Sequence, residues 1–107
     1  MWLCRDDAVL ASAEVAATRR ARRRGLLGRD GINGVLVLTP ARAVHTLGMR
    51  FDLDVAFVAR DGTVLDMCRM RRNRLGLPRW RSRSVLEAEA GAFERWGLRV
   101  GDVVEVR

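Results

Sequence analysis

The chain has 107 residues, 49% of them apolar, and a formal charge of +7. One domain of this length can bury a core without disulfides or metals, and the apolar share excludes a disordered chain. No apolar run approaches the roughly 18 residues that span a bilayer, and the start Met1-Trp2-Leu3-Cys4-Arg5-Asp6-Asp7 carries two acids where a secretory leader is basic, so a cytoplasmic protein with no membrane role is expected.

Ala8 to Ala13 reads as a first strand with Val9 and Leu10 as core candidates. Thr18 can N-cap a helix from Arg19 to Arg24, whose last-turn arginines suit the negative end of the helix dipole. Two continuations are open. The helix can run on, stacking Ala17, Ala21, Gly25 and Gly28, or Gly25 can end it so that Leu26 and Leu27 plug the core. The second is preferred, because glycine costs about 1 kcal/mol inside a helix. After a turn at Gly31 to Gly34, Val35 to Leu38 is a buried strand ended by Thr39-Pro40.

The chain is organised around His45 to Val58. From Phe51 the apolar residues alternate, with Phe51, Leu53, Val55 and Phe57 on one face and Asp52 and Asp54 on the other. Asp61-Gly62 turns into a partner strand from Thr63 to Met70. Arg71 to Arg83 is a long loop without periodicity, and such loops are often functional or mobile. Ser84 to Ala88 returns to strand, Gly91 to Trp96 is a short helix stopped at Gly97, and Val103 to Val106 closes the chain. Hairpin-joined strands with few helices predict a mainly β fold. The form expected is a compact antiparallel sandwich or partly open barrel, with one main and one short helix, in a single domain over residues 1–107.

The charge layout says more than its sum. Arg19, Arg20, Arg22, Arg23, Arg24 and Arg29 form an acid-free segment worth +6, and Arg69, Arg71, Arg72, Arg74, Arg79, Arg81 and Arg83 another worth +7, which leaves −6 for the rest. The two segments are expected to form one positive surface. Trp80, between Arg79 and Arg81, adds the aromatic interleaving of a single-strand nucleic-acid surface, and an acidic protein would use the same face. No recognition-helix or RNA-binding signature accompanies it.

The ordered set Thr18…Arg24-Gly25-Leu26-Leu27-Gly28-Arg29, His45-Thr46-Leu47-Gly48-Met49, Asp54-Val55-Ala56-Phe57, Val85-Leu86-Glu87 with Ala90-Gly91, and Gly101-Asp102 resembles domain-of-unknown-function family 192 from about residue 8 to residue 106. The resemblance implies a small β-rich bacterial or archaeal domain, sandwich- or barrel-like, with one main helix and no established activity. Many members of that family carry an aromatic residue near the position of His45, so the His-Thr form here is a departure from the pattern.

The pocket candidates are His45, Thr46, Met49 and Asp54. A histidine beside a carboxylate can act as a general base or have its tautomer fixed, and His45 is expected to meet Asp54 across a turn at Gly48. A hydrolase or lyase would need His45, Asp54 and Glu87 or Glu89 to converge. The same side chains could instead satisfy backbone groups at a sheet corner. Glu87 is outward if Leu86 and Ala88 face the core; if Val85 faces inward it is buried and needs a donor, most plausibly an arginine. Cys4 and Cys68 are expected as reduced thiols and apolar fillers. No nucleophile elbow or phosphate loop occurs, and one histidine with two separated cysteines is a thin metal supply. No cofactor is predicted. The reading is a non-enzymatic ligand- or protein-binding module, with polyanion binding second and an enzyme third.

Overall fold

A computed structural model describes residues 1–107. Seven strands, β1 (Trp2–Arg5), β2 (Ala8–Ala16), β3 (Val35–Leu38), β4 (Leu53–Val58), β5 (Val64–Met70), β6 (Ser84–Glu89) and β7 (Glu105–Val106), form one sheet in the order β5-β4-β6-β3-β2-β1-β7. The two helices are short, α1 (Arg19–Arg24) and α2 (Ala92–Trp96). The sheet is not closed into a barrel. Its two ends meet at one corner, where Thr63 bridges Val103 and the Val64 N–H donates to Asp102 O at 2.8 Å.

The protein is mainly β, as the sequence predicts, with one departure from antiparallel pairing. β2 and β3 run parallel, with Glu14 opposite Leu36. A parallel neighbour requires a crossover, and α1 with the turn after it supplies that connection. Thr18 caps α1 by accepting from the Ala21 N–H at 3.1 Å. Gly25, at φ 49°, ends it, so of the two open continuations the stop at Gly25 is the one observed, and Leu26 is 1% exposed in the core behind it.

The first strand pair begins earlier than the alternation suggested. β1 pairs with β2 through a two-residue loop, Asp6-Asp7, at φ 50° and 65°. Hairpin loops of this kind need positive φ at both central residues, and a short polar side chain tolerates it. The acids that argued against a leader peptide are the turn.

Alternation splits the apolar residues between two cores, one on each face of the sheet. One holds Leu3, Val35, Val37, Ala56, Val58, Leu86, Ala88 and Phe93. The other holds Leu26, Leu36, Leu38, Met49, Leu53, Val55, Phe57 and Val85. All six residues of β4 are buried because strands flank it on both edges and a core covers each face. A row of directly opposed residues, Glu14, Leu36, Glu87, Val55 and Cys68, crosses five strands on the second core's face.

Candidate functional site

Two buried acids stand on neighbouring strands with side chains on opposite faces of the sheet. Asp54 lies opposite Ala88, and Glu87 lies opposite Val55. Alternation therefore sends Asp54 into the Ala88 face and Glu87 into the Val55 face.

Asp54 is 5% exposed and fully engaged. Its Oδ1 accepts from Arg69 Nε at 3.0 Å, and its Oδ2 accepts from the Gly91 and Phe93 N–H groups at 2.9 and 3.2 Å. Gly91 is the N-cap of α2 and has no side chain to offer. Asp54 performs that role from another strand and ties β4 to the helix.

Glu87 is 4% exposed. Burial pushes its carboxyl up to about 7, with no ion pair or hydrogen bond among the causes. Its side chain faces a small cavity of about 60 Å³ lined by Arg22, Arg23, Arg24 and Gly25 at the end of α1, by Leu26, Leu27 and Leu38, and by Ala43, Val44, His45 and Met49. No fully buried side-chain oxygen of the protein lacks a partner, so the Glu87 oxygens open onto this cavity rather than ending in packing. Gly25 closes one wall, and a Cβ there would stand 3.4 Å from Glu87 Oε1. The arginine that a buried Glu87 was expected to find is nearby but turned away: the Arg22 guanidinium donates to Ala17 O and Thr39 O. Glu89, two residues on, is held separately by the Ile32 N–H at 3.0 Å.

Of the four pocket candidates, the structure brings together His45 and Met49, which line the Glu87 cavity. Asp54 does not meet His45. The expected approach across Gly48 fails because His45 and α1 cover one face of the sheet while Asp54 points from the other, into an open groove of about 470 Å³ with Arg69, Phe93 and Arg99. Gly48 donates instead to Asn73 Oδ1 at 2.9 Å. His45, Asp54 and a later glutamate therefore do not converge. Thr46 is fully buried and positions the basic loop. Its hydroxyl donates to Arg71 O at 2.5 Å and accepts from the Arg74 N–H at 2.9 Å.

That loop, residues 71–83, is fastened along its length. Gly76 and Arg79 donate backbone N–H groups to Val44 O and Arg42 O at 2.9 and 2.8 Å, Leu75 bridges His45, and Ser82 Oγ donates to Ala41 O at 2.9 Å. Gly76 is required there, since a Cβ would fall 2.7 Å from Val44 O. The loop leaves Leu75, Leu77 and Trp80 77%, 79% and 76% exposed. The Arg79 guanidinium lies 4.3 Å over the Phe57 ring and pairs with Asp66 at 2.9 Å, roofing the core edge. Arg29, Arg69 and Arg72 pair with Glu14, Asp54 and Asp52. Arg71, Arg74, Arg81 and Arg83 have no carboxylate partner, nor have Arg19, Arg20, Arg22, Arg23 and Arg24 on α1. A groove of about 550 Å³ runs between Cys68–Arg71 and Arg74–Arg79. Cys68 is half-buried, and burial raises its thiol above the ordinary range. No helix is long and apolar enough to cross a membrane.

The sequence marks this loop by its arginines and its lack of periodicity, and Leu75 and Leu77 do not stand out in it. Leucine between arginines carries no local sign of exposure, and only the packing of the loop against residues 41–46 shows which side chains point out.

Two solved structures are similar in fold. A protein of unknown function from Novosphingobium aromaticivorans superposes with a TM-score of 0.77 at 24% identity, covering 88% of this chain and 74% of its own. A Sinorhizobium meliloti protein described as a "putative transcription regulator" gives a TM-score of 0.77 at 22% identity, covering 87% and 79%. No curated protein matches. The family model of DUF192, described as an uncharacterized ACR, matches residues 2–106. The buried Glu87, the Gly25 that ends α1 and the Asp54 tie to Gly91 thus fall within one matched unit, and the chain belongs to domain-of-unknown-function family 192.

Proposed function

We propose that this domain is a non-enzymatic binding module that takes an acidic protein segment on the face formed by loop 71–83. The observation that carries the reading is the presentation of Leu75, Leu77 and Trp80, each more than three-quarters exposed, among four arginines without carboxylate partners. Exposed apolar residues rimmed by charge mark interaction surfaces. Burying each of the three contributes about 1.5–3 kcal/mol. The tethers from Thr46, Val44, Arg42 and Ala41 hold the loop in place beforehand, which lowers the entropy lost on binding. Arginine without an internal partner then selects for acidic neighbours.

Fluorescence anisotropy with a labelled peptide of alternating glutamate and leucine tests the reading. Binding should occur at low salt and weaken by about tenfold or more in Leu77→Ser and in Trp80→Ala. Absence of peptide binding, or binding unchanged in both variants, would overturn it.

Polyanion binding is the second reading, favoured by Trp80 between Arg79 and Arg81. It predicts that single-stranded DNA binds in place of the peptide, with a salt slope of about −0.7 per phosphate contact.

A further inference from the structure

The cavity over Glu87 is separate from the loop surface, and its chemistry is unusual for a protein interior. Its walls are aliphatic, from Leu26, Leu27, Leu38, Val44 and Met49. At its side stands one carboxyl group that nothing in the protein hydrogen-bonds. Buried polar groups are almost always partnered, and with no protein donor this carboxyl takes its partner from whatever enters the cavity, water or the donor group of a ligand. The rim carries Arg23 and Arg24, both exposed, together with exposed His45. A volume of about 60 Å³ holds on the order of four water-sized groups.

We propose that this cavity binds the ammonium end of a small zwitterion, with the N–H groups on Glu87 and the anionic end outside, on Arg23, Arg24 and His45. An ammonium supplies the missing donors and a charge-assisted pair. Its short aliphatic stem suits the leucine, valine and methionine walls. A carboxylate or phosphate on the same molecule meets the arginines at the mouth, which would otherwise repel a cation. Gly25 belongs to the design: a side chain at that wall would meet Glu87 Oε1 at 3.4 Å and narrow the cavity.

Binding is coupled to protons. The titratable groups that line the cavity with Glu87 are Arg22, whose guanidinium is turned to Ala17 O and Thr39 O, Arg23 and Arg24 at the end of α1, and His45 from the 39–49 segment. On the sheet, Glu89 is held by Ile32 and Glu14 by Arg29. In the free protein the raised value keeps Glu87 substantially protonated near neutrality. Docking an ammonium favours the carboxylate, so the proton leaves to solvent as the ligand enters.

The test uses the full chain with β-alanine and 4-aminobutyrate as zwitterionic probes, propylamine as the cation alone and propionate as the anion alone. Calorimetry in two buffers of different ionisation heat reads proton release, and the ring signals of His45, the single histidine, report occupancy of the rim by NMR. A zwitterion should bind with net proton release at pH 7. It should bind tighter than propylamine and about tenfold or more weaker in Glu87→Gln. Propionate binding alone with proton uptake, equal binding in Glu87→Gln, or no binding by either zwitterion would overturn the proposal. So would a Glu87 carboxyl in the free wild-type protein that titrates at or below the ordinary glutamate value, since a protein donor or full hydration would then already satisfy it; this measurement does not depend on any variant folding.

Discussion

Asp54 and Glu87 are two acids of nearly equal burial on adjacent strands, and they have opposite consequences. Asp54 accepts from one guanidinium and two backbone N–H groups. Glu87 accepts from none and is pushed up to about 7. Burial alone therefore says little about what an acid does. Where the protein supplies donors, the carboxylate is a structural tie, and removing it strands those donors. Where it supplies none, the carboxyl weakens the fold once ionised and is retained at the expense of stability, which is the pattern of a functional group.

The largest expected effect lies at Glu87 and depends on pH. Its folded value, about 7, exceeds the unfolded reference of 4.5. A raised folded value means that the contribution is fully present below the unfolded value and lost as pH rises through the folded one. Between pH 4 and pH 8 the wild type should lose about 3 kcal/mol from this group. Glu87→Gln should be free of that loss and more stable than wild type at pH 8, while the two differ little at pH 4. Glu14, Asp61 and Asp102, held below the ordinary range by Arg29, by the Thr63 N–H and by the Arg99 N–H with Arg5, titrate equally in both proteins and cancel in the difference. Urea denaturation at the two pH values measures it, and parallel stability curves would show that Glu87 is hydrated or has a donor and is not desolvated.

Asp54→Ala should behave oppositely. The N–H groups of Gly91 and Phe93 lose their acceptor and Arg69 loses its partner, so a loss of about 2–3 kcal/mol is expected at neutral pH. Arg69 is 56% exposed and can turn to water, which keeps the effect below that of a fully buried pair. Hydrogen exchange should show α2 opening first, because this tie holds its N-terminus. A loss below about 0.5 kcal/mol, the range of ordinary surface changes, would remove the contrast between the two acids.

Much of this was legible in the chain. Thr18 and Gly25 bound α1 where their chemistry said they would, and Asp61-Gly62 makes the β4–β5 hairpin. Val85-Leu86-Glu87 is part of the ordered set by which the chain resembles its family. What was not legible follows from how strands are read. Alternation tells which residues share a face but not whether the other face is also covered. For Val85 to Ala88 both are, so outward or inward was a false choice for Glu87. The same ambiguity hid the Asp54 partners. Gly91 and Phe93 lie 37 and 39 residues away, whereas His45 was merely near in sequence. β1 is hidden because Asp6-Asp7 carries charge as well as turn propensity, and only its positive φ values reveal the turn.

Thr46→Val sharpens the comparison with an uncharged group. The valine keeps the shape and removes the hydroxyl that joins Arg71 O to the Arg74 N–H. One buried acceptor and one buried donor lose their partner together, and a loss of about 1–2 kcal/mol is expected. Residues 71–74 should then gain mobility, visible as lower order parameters. The Thr46 backbone still exchanges bonds with Arg74 O and the Asn73 N–H at 2.8 Å each, so the loop should loosen without detaching.

The smallest stability effect is expected on the exposed side of that same loop. Leu77 is 79% exposed and contributes almost nothing to either core. Replacing it with serine should shift the unfolding free energy by less than about 0.5 kcal/mol. If the loop is a binding face, however, the same change removes one apolar anchor and weakens an acidic partner by about tenfold or more. Thr46→Val and Leu77→Ser then separate two ways of weakening binding. The first should cost stability and affinity together, because it loosens a loop held ready. The second should cost affinity alone. If Leu77→Ser destabilises the free protein as much as Thr46→Val does, Leu77 packs in solution and the face is not presented. If neither variant changes partner affinity, the tethered loop is structural, and the Glu87 cavity is left as the candidate site of the domain.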